Sequence, residues 1–242
     1  LKSLHDPLSA LDISFRRYRL FIGFFFLTSI KIFTKVKLTE RSVGFRNRTV
    51  GVTMSKKESI LQAATWLYAK KGFKDASMAE LSKMTDVAEG TIFYHFKNKE
   101  TLFLATLETV KSKIITEFEE YTAKKRFETG LEMVLDVVSF YLYMAGHSPD
   151  LFMLLHRHDA YELAEVNPIC REYLEDTYNG LVDIFEKAVN LGQKDGSIGA
   201  MPARKTALIL FTLTDGLVRF NSYNLYNAGA LSSELIASCR RM

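Results

Sequence analysis

Cysteine is nearly missing from this chain. Its 242 residues hold two, Cys170 and Cys239, which excludes a framework of disulfides and any cysteine-based metal-ligand spacing. A reducing, cytoplasmic setting is expected. Proline is as scarce: of four, Pro149, Pro168 and Pro202 each stand where a helix is expected to begin. Beyond residue 103 no convincing run of period-two alternation occurs, which argues against a sheet there. The most apolar stretch, Leu20 to Ile30, is eleven residues long, short of the ~20 that a membrane-spanning helix needs. A nucleophile elbow, a phosphate loop and paired-carboxylate spacing are all absent, so nothing supports the common enzyme chemistries.

Charge is unevenly shared. Residues 1–53 hold 10 Lys+Arg against 3 Asp+Glu, residues 54–99 hold 8 against 5, and residues 100–242 hold 14 against 20. The overall +4 is therefore set by the first segment. Downstream of that segment the chain has a mildly basic head on an acidic body, a distribution suited to local phosphate binding.

Residues 77–102, SMAELSKMTDVAEGTIFYHFKNKETL, read as two short helices joined by a tight turn and followed by a third helix. Ser77 and Glu80 have the spacing of a capping box, in which each side chain satisfies the other's backbone N–H. Leu81 and Met84 share an inward face. Asp86 tolerates the left-handed backbone of a sharp turn, and Val87 plugs the angle between the helices. On the second helix Ile92 and Phe96 are expected inside, with Glu89, Thr91, Tyr94 and His95 outside. Asn98 caps a further helix whose first residue is Lys99. A cation there opposes the helix dipole unless a phosphate sits beside it. Upstream, Ser55 and Glu58 form a second expected capping box, opening a helix with Ile60, Leu61, Ala64, Leu67 and Tyr68 on its apolar face and Gly72 past its end.

This layout resembles the TetR family of bacterial transcriptional regulators. The family pattern is matched at Ser77, Leu81, Val87, Gly90, Thr91, Ile92, His95, Phe96, Lys99, Glu100 and Leu102. Ser82 and Thr85 stand where alanine is usual, Asp86 replaces a turn glycine, and Phe93 replaces a tyrosine that commonly touches DNA. Phe93 lacks that hydroxyl but can still meet a thymine methyl. The resemblance implies a DNA-binding set of Ser77, Ala88, Glu89, Gly90, Thr91, Phe93, Tyr94, His95 and Lys99. Within it, Thr91, Tyr94, His95 and Lys99 are expected on phosphate or sugar, and Ala88, Glu89, Gly90 and Phe93 nearest the base edges.

The rest of the chain reads as helix. Phe103, Leu107, Val110, Ile114 and Phe118 form one stripe. A helix from about Arg126 to Ala145 is expected to bury Leu131, Val134, Leu135, Val138 and Leu142, with Gly146 ending it. Pro149 opens another, Pro168 a long helix to about Gly192, and Pro202 a last long helix through Leu225. The two long helices, marked by Leu181, Ile184, Phe185 and Ala188 and by Leu210, Leu213, Leu217 and Phe220, occupy the place of the family's dimer-forming pair, which gives a four-helix bundle between two subunits.

Between them lies a region rich in Phe, Tyr and Met, including Tyr143, Met153, Tyr161 and Tyr173. By resemblance it encloses an effector site, for which Phe140, Tyr141, Met144, Phe152, Leu155, Tyr178 and Phe211 are the candidates. An ordinary aromatic core is the competing reading for each residue singly. His156 and His158 on one helix project about 200° apart, so they do not converge on one ion, and no metal or cofactor is expected. Asp215 and Arg219, four apart, are expected to pair at the dimer seam or pocket rim.

Residues 1–53, with RRYR at 16–19 before the apolar stretch, resemble a signal peptide but lack a small-residue cleavage site. The favoured reading is an upstream extension with no independent fold; a membrane anchor and an accessory arm are the alternatives. The expected whole is an all-α chain, with residues 1–53 outside the fold, a three-helix DNA-binding domain with a helix-turn-helix at 54–99, and a helical ligand-binding and dimerisation domain at 100–242. It is expected to be a homodimeric repressor of double-stranded operator DNA, released by a small apolar or aromatic effector and not membrane-bound. Two other classes compete: a DNA-binding module with no effector, and an enzyme using His147, His156 and His158, which leaves the reading head unexplained.

Overall fold

The computed structural model describes residues 54–226 and 231–241; the readings made of residues 1–53 lie outside them. Every regular element among the described residues is a helix, and the caps explain most of the starts. Helix α1 (Lys56–Asp75) opens on Ser55, whose hydroxyl accepts from Glu58 N at 3.2 Å while Ser55 N donates to Glu58 Oε2 at 2.8 Å. Both halves of that box are present. Near its far end the spiral breaks at Gly72, where φ is +84° and a Cβ would come within 2.5 Å of Asp159 Oδ2. Only glycine meets both conditions.

Helix α2 (Met78–Thr85) starts at Ser77, which accepts from Glu80 N at 3.1 Å. The expected reciprocal bond is replaced: Glu80 pairs with Lys71 of α1 at 2.8 Å. A nearby cation outcompetes a backbone N–H for the carboxylate. Asp86 takes the left-handed turn at φ 54°, Val87 is buried, and α3 (Glu89–His95) comes next. Asn98 then caps α4 (Lys99–Lys124) by accepting from Thr101 N at 2.7 Å. Phe103, Leu107, Val110, Ile114 and Phe118 are all buried along α4.

The body continues with α5 (Gly130–His147), α6 (Pro149–Leu155), α7 (His158–Val166), the long α8 (Pro168–Asp195), α9 (Ala203–Ser222) and a short α10 (Ser232–Cys239). Helix α5 begins at Gly130, one turn later than expected, and runs past Gly146 to end at His147. Its start is set by tertiary contact: Gly130 N donates to Asp195 Oδ2 at 2.7 Å and Leu131 N to Ser197 Oγ at 3.1 Å. The Asp195 carboxyl is held below its usual range, by the Ser197 hydroxyl first and the Gly130 N–H second. The Gly130 and Gly192 backbones touch so closely that a Cβ on Gly130 would reach Gly192 N.

Val134, Leu135 and Val138 are buried as expected, while Leu131 and Leu142 are only half-buried and Met133 and Val137 join the core. Helix α8 packs on α9, α5, α4 and α7 and is the centre of the body. Two features escape sequence reading. The segment opened by Pro149 is two helices with a corner at His156–Arg157, and α10 packs back on α5 after α9 has ended at Ser222.

Candidate functional site

The exposed face of α3 is built from its buried one. Ile92 and Phe96 are inside, and this turns Tyr94, 85% exposed, outward together with Ala88, Glu89, Gly90 and Phe93. Thr91 and His95 are half-buried beside them, and the Tyr94 and His95 rings meet edge-on at 5.4 Å. No Cβ on Gly90 would meet any atom, so this stretch of backbone is open to close approach. Ser77 is exposed at the start of α2. Eight of the nine expected DNA-binding residues thus present polar, aromatic or bare backbone groups at or near the surface of the head.

Lys99 differs. Its Nζ donates to Lys74 O at 2.8 Å, at the carbonyl end of α1, and stands 5.0 Å over the Phe73 ring. The unfavourable placement of a cation at the start of α4 is thereby offset by the negative end of another helix. Two of the three ammonium donors stay uncommitted to that bond.

The same end of α1 is gripped from the body. Arg157 donates from Nε and Nη2 to Ala69 O at 3.0 and 2.8 Å, and from Nη2 to Lys70 O. Lys74 pairs with Glu162 at 2.7 Å and Lys70 with Asp150 at 3.8 Å. Helices α6 and α7 therefore hold the head through its first helix, in parallel with the rigid connection along α4, where Tyr68 and Phe73 pack on Phe103. Tyr68 and Phe103 were expected inside, but none of the charged junction residues, Arg157, Lys70, Asp150, Lys74 and Glu162, was singled out from the sequence; an arginine gives no sign there of which carbonyls it will reach.

Of the seven expected effector residues, four come together. Tyr141 meets Phe152 at 5.2 Å and Phe211 at 6.0 Å, and Tyr178 meets Phe211 at 5.9 Å. Met144 and Leu155 are buried in the same core. Phe140 faces elsewhere, stacked on Tyr121 at 3.9 Å, because it lies on the side of α5 turned to the end of α4. The sequence put Asp215 at a seam or pocket rim and offered His156 only as a metal ligand or acid–base group, so the polar pairings within this cluster were missed. Tyr141 donates to Asp215 Oδ1 at 2.6 Å, and His156 Nε2 lies 2.9 Å from the same oxygen. The Tyr161 and Tyr178 hydroxyls meet at 2.5 Å, and Tyr223 donates to His156 O at 3.0 Å.

Asp215 is thus engaged by Tyr141 and His156, and not by Arg219 as its spacing implied. Burial first, then the Asp215 charge, holds the Tyr141 phenol well above its usual range. Burial and Tyr161 do the same for Tyr178. These rings pack upon one another. An open groove of about 500 Å³ lies elsewhere, lined by Met133 and by Asp183, Glu186, Lys187, Asn190, Leu191 and Lys194 of α8, and includes none of the expected effector residues. His158 is exposed and paired with Glu162, away from His156. Among the described residues no group of His, Cys, Asp or Glu has the geometry of a metal site, and no helix is long and apolar enough to cross a membrane.

Comparison with known proteins agrees with this geometry. Residues 60–106 match the family described as "Bacterial regulatory proteins, tetR family". The fatty acid metabolism regulator protein of Bacillus subtilis is 23% identical over 185 residues, 74% of this chain and 92% of that protein. The crystal structure of FadR from Bacillus subtilis in complex with stearoyl-CoA shares the fold with a TM-score of 0.60 at 22% identity, covering 75% of this chain and 96% of that one. A regulator from Saccharomonospora viridis in complex with choline shares it with a TM-score of 0.64 at 20% identity, covering 74% and 92%.

Proposed function

From the premise that the chain belongs to the TetR family of bacterial transcriptional regulators, we propose that it is a homodimeric repressor whose grip on operator DNA is released by a small effector. The carrying observation is the corner between α6 and α7. His156 reaches into the interior to Asp215, while the next residue, Arg157, holds the α1 carbonyls of the head. A ligand entering among Tyr141, Phe152, Tyr178 and Phe211 moves His156, and Arg157 moves with it. The reading helix then shifts relative to its twin. A coupling of about 1–3 kcal/mol weakens operator binding roughly 5- to 150-fold.

On the DNA side, Ala88, Glu89, Gly90 and Phe93 stand at base edges, and Ser77, Thr91, Tyr94, His95 and Lys99 at phosphate or sugar. Two heads enter successive major grooves of a roughly palindromic site. The effector has an apolar or aromatic body, since rings line the site. The related structures that hold stearoyl-CoA and choline support a ligand within this fold, without choosing between such classes.

The test is operator affinity with and without a ligand found by thermal-shift screening. Tight binding that leaves operator affinity untouched refutes the induction mechanism. The competing reading, a DNA-binding module with no effector, is favoured by the closed packing of the rings and requires that no small molecule stabilise the protein.

A further inference from the structure

We infer that the effector carries a cationic nitrogen bound by Asp215, whose half-buried carboxylate is held by Tyr141 at the edge of the aromatic cluster, an inference that rests on reading that cluster as the effector site. Both bonds to Asp215, from Tyr141 and from His156, end on Oδ1. Oδ2 takes no donor from the described residues. The other imidazole nitrogen, His156 Nδ1, is fully buried with no hydrogen-bond partner among them, on a side chain only 1% exposed. In the neutral tautomer whose Nε2 donates to Asp215, Nδ1 is an acceptor with no donor. Tyr141, bonded to Asp215, packs its ring on those of Phe152 and Phe211, and Phe211 packs in turn on Tyr178; the faces of such rings are electron-rich.

A carboxylate oxygen, an orphaned imidazole nitrogen and ring faces have one property in common: each is completed by positive charge or by an N–H donor. A buried acceptor without a donor is costly, and a ligand that supplies one recovers that cost. An anionic head would instead lie against Asp215. The nearby cation is Arg219, whose charge reaches Tyr178 but whose side chain is exposed one turn beyond the carboxylate. The acidic balance of residues 100–242, 20 Asp+Glu against 14 Lys+Arg, also draws cations toward the body. Since His156 shares Asp215 with the incoming nitrogen, the ligand loosens His156 and, through the neighbouring peptide, the hold of Arg157 on Ala69 and Lys70.

The test uses three probes with one apolar body and different heads: 4-phenylbutylammonium, 4-phenylbutanol and 4-phenylbutanoate. Calorimetry on the full chain is expected to rank them in that order, with the ammonium at least about tenfold tighter than the alcohol. Only the ammonium is expected to release fluorescent operator DNA at matched concentrations. Asp215→Asn should erase the advantage of the ammonium over the alcohol, measured as the ratio of their affinities for the same variant. Equal or tighter binding of the alcohol or the carboxylate to the wild-type chain overturns the cation inference and leaves the effector site standing. If none of the three binds, site and inference fall together. The ranking on the wild-type chain decides the matter even where Asp215→Asn does not fold.

Discussion

At the scale of single residues, the proposed function divides the face of the head into groups that hold DNA and groups that choose it. Lys99 has one donor on Lys74 O and others to spare. Lys99→Ala is therefore expected to weaken binding to every sequence alike and to lower the slope of log affinity against log salt by about 1, as for one lost phosphate contact. A slope that does not change would show the ammonium to be wholly committed to α1. Glu89, exposed in the first turn of α3, is proposed to stand at base edges, so Glu89→Ala is expected to change which operator is preferred more than how tightly DNA is held. Selection from a randomised operator pool measures this. Cys170 makes a prediction of the opposite kind. It is fully buried, its thiol donates to Ala160 O, and burial pushes its pKa up to about 11. Only thiolate reacts with iodoacetamide, so at pH 8 mass spectrometry should find Cys170 unmodified in the native protein and modified after denaturation.

At the scale of elements, the junction between α1 and α7 is the part most exposed to test. Arg157 is the N-cap of α7, yet its side chain is used across the interface on the ends of another helix. Charge-assisted hydrogen bonds contribute about 1.5–3 kcal/mol. Arg157→Ala is expected to lower stability in urea by about that much, and Arg157→Lys to restore only part, because one ammonium cannot fork over Ala69 O and Lys70 O together. A loss below about 0.5 kcal/mol, the range of ordinary surface substitutions, would remove the corner from the proposed route between effector and head. Helix α9 has its own element-level lesson. Leu210, expected among the residues of the dimer pair, is buried in its own subunit, as are Leu181, Phe185 and Ala188 of α8. What α9 turns outward is Ile209, Leu213 and Phe220, on one face at helical spacing.

For the whole molecule, that outward face needs cover. Leu213 is 50% and Ile209 55% exposed, and contiguous apolar faces of this kind mark interfaces. Leu213→Glu is expected to yield a monomer by sedimentation, with operator affinity falling because half-sites are then bound singly; an unchanged dimer would move the interface elsewhere. Stability should also decline in alkali. The Cys170 thiol and the phenols of Tyr68, Tyr141 and Tyr178 all have pKa values raised by burial above their ordinary ones. A group raised in this way stabilises the fold fully below its unfolded pKa and loses that contribution as pH climbs toward the folded one. The loss is expected to begin near pH 9, with Cys170, and to steepen above pH 10, with the phenols. Urea midpoints between pH 8 and pH 11 measure it.

The sequence by itself determined whatever depends on near neighbours. Ser55, Asn98 and Asp86 act on backbone within a few residues, so the helices of the reading head and the turn between them were legible in order. The face of α3 comes from the same local period, since burying Ile92 and Phe96 leaves no choice about where Tyr94 points. The stripe from Phe103 to Phe118 was legible for that reason too. Tertiary structure decided what depends on residues far apart in the chain. Glu80 left its cap for Lys71, and Asp215 turned to Tyr141 and His156 instead of to Arg219. No spacing announces such partners, because the competing bonds differ only in which distant group arrives. The corner at His156–Arg157 has neither glycine nor proline to mark it. It is held by one side chain drawn inward to Asp215 and the next drawn outward to Ala69 and Lys70, and those attractions exist only once α1, α7 and α9 have met.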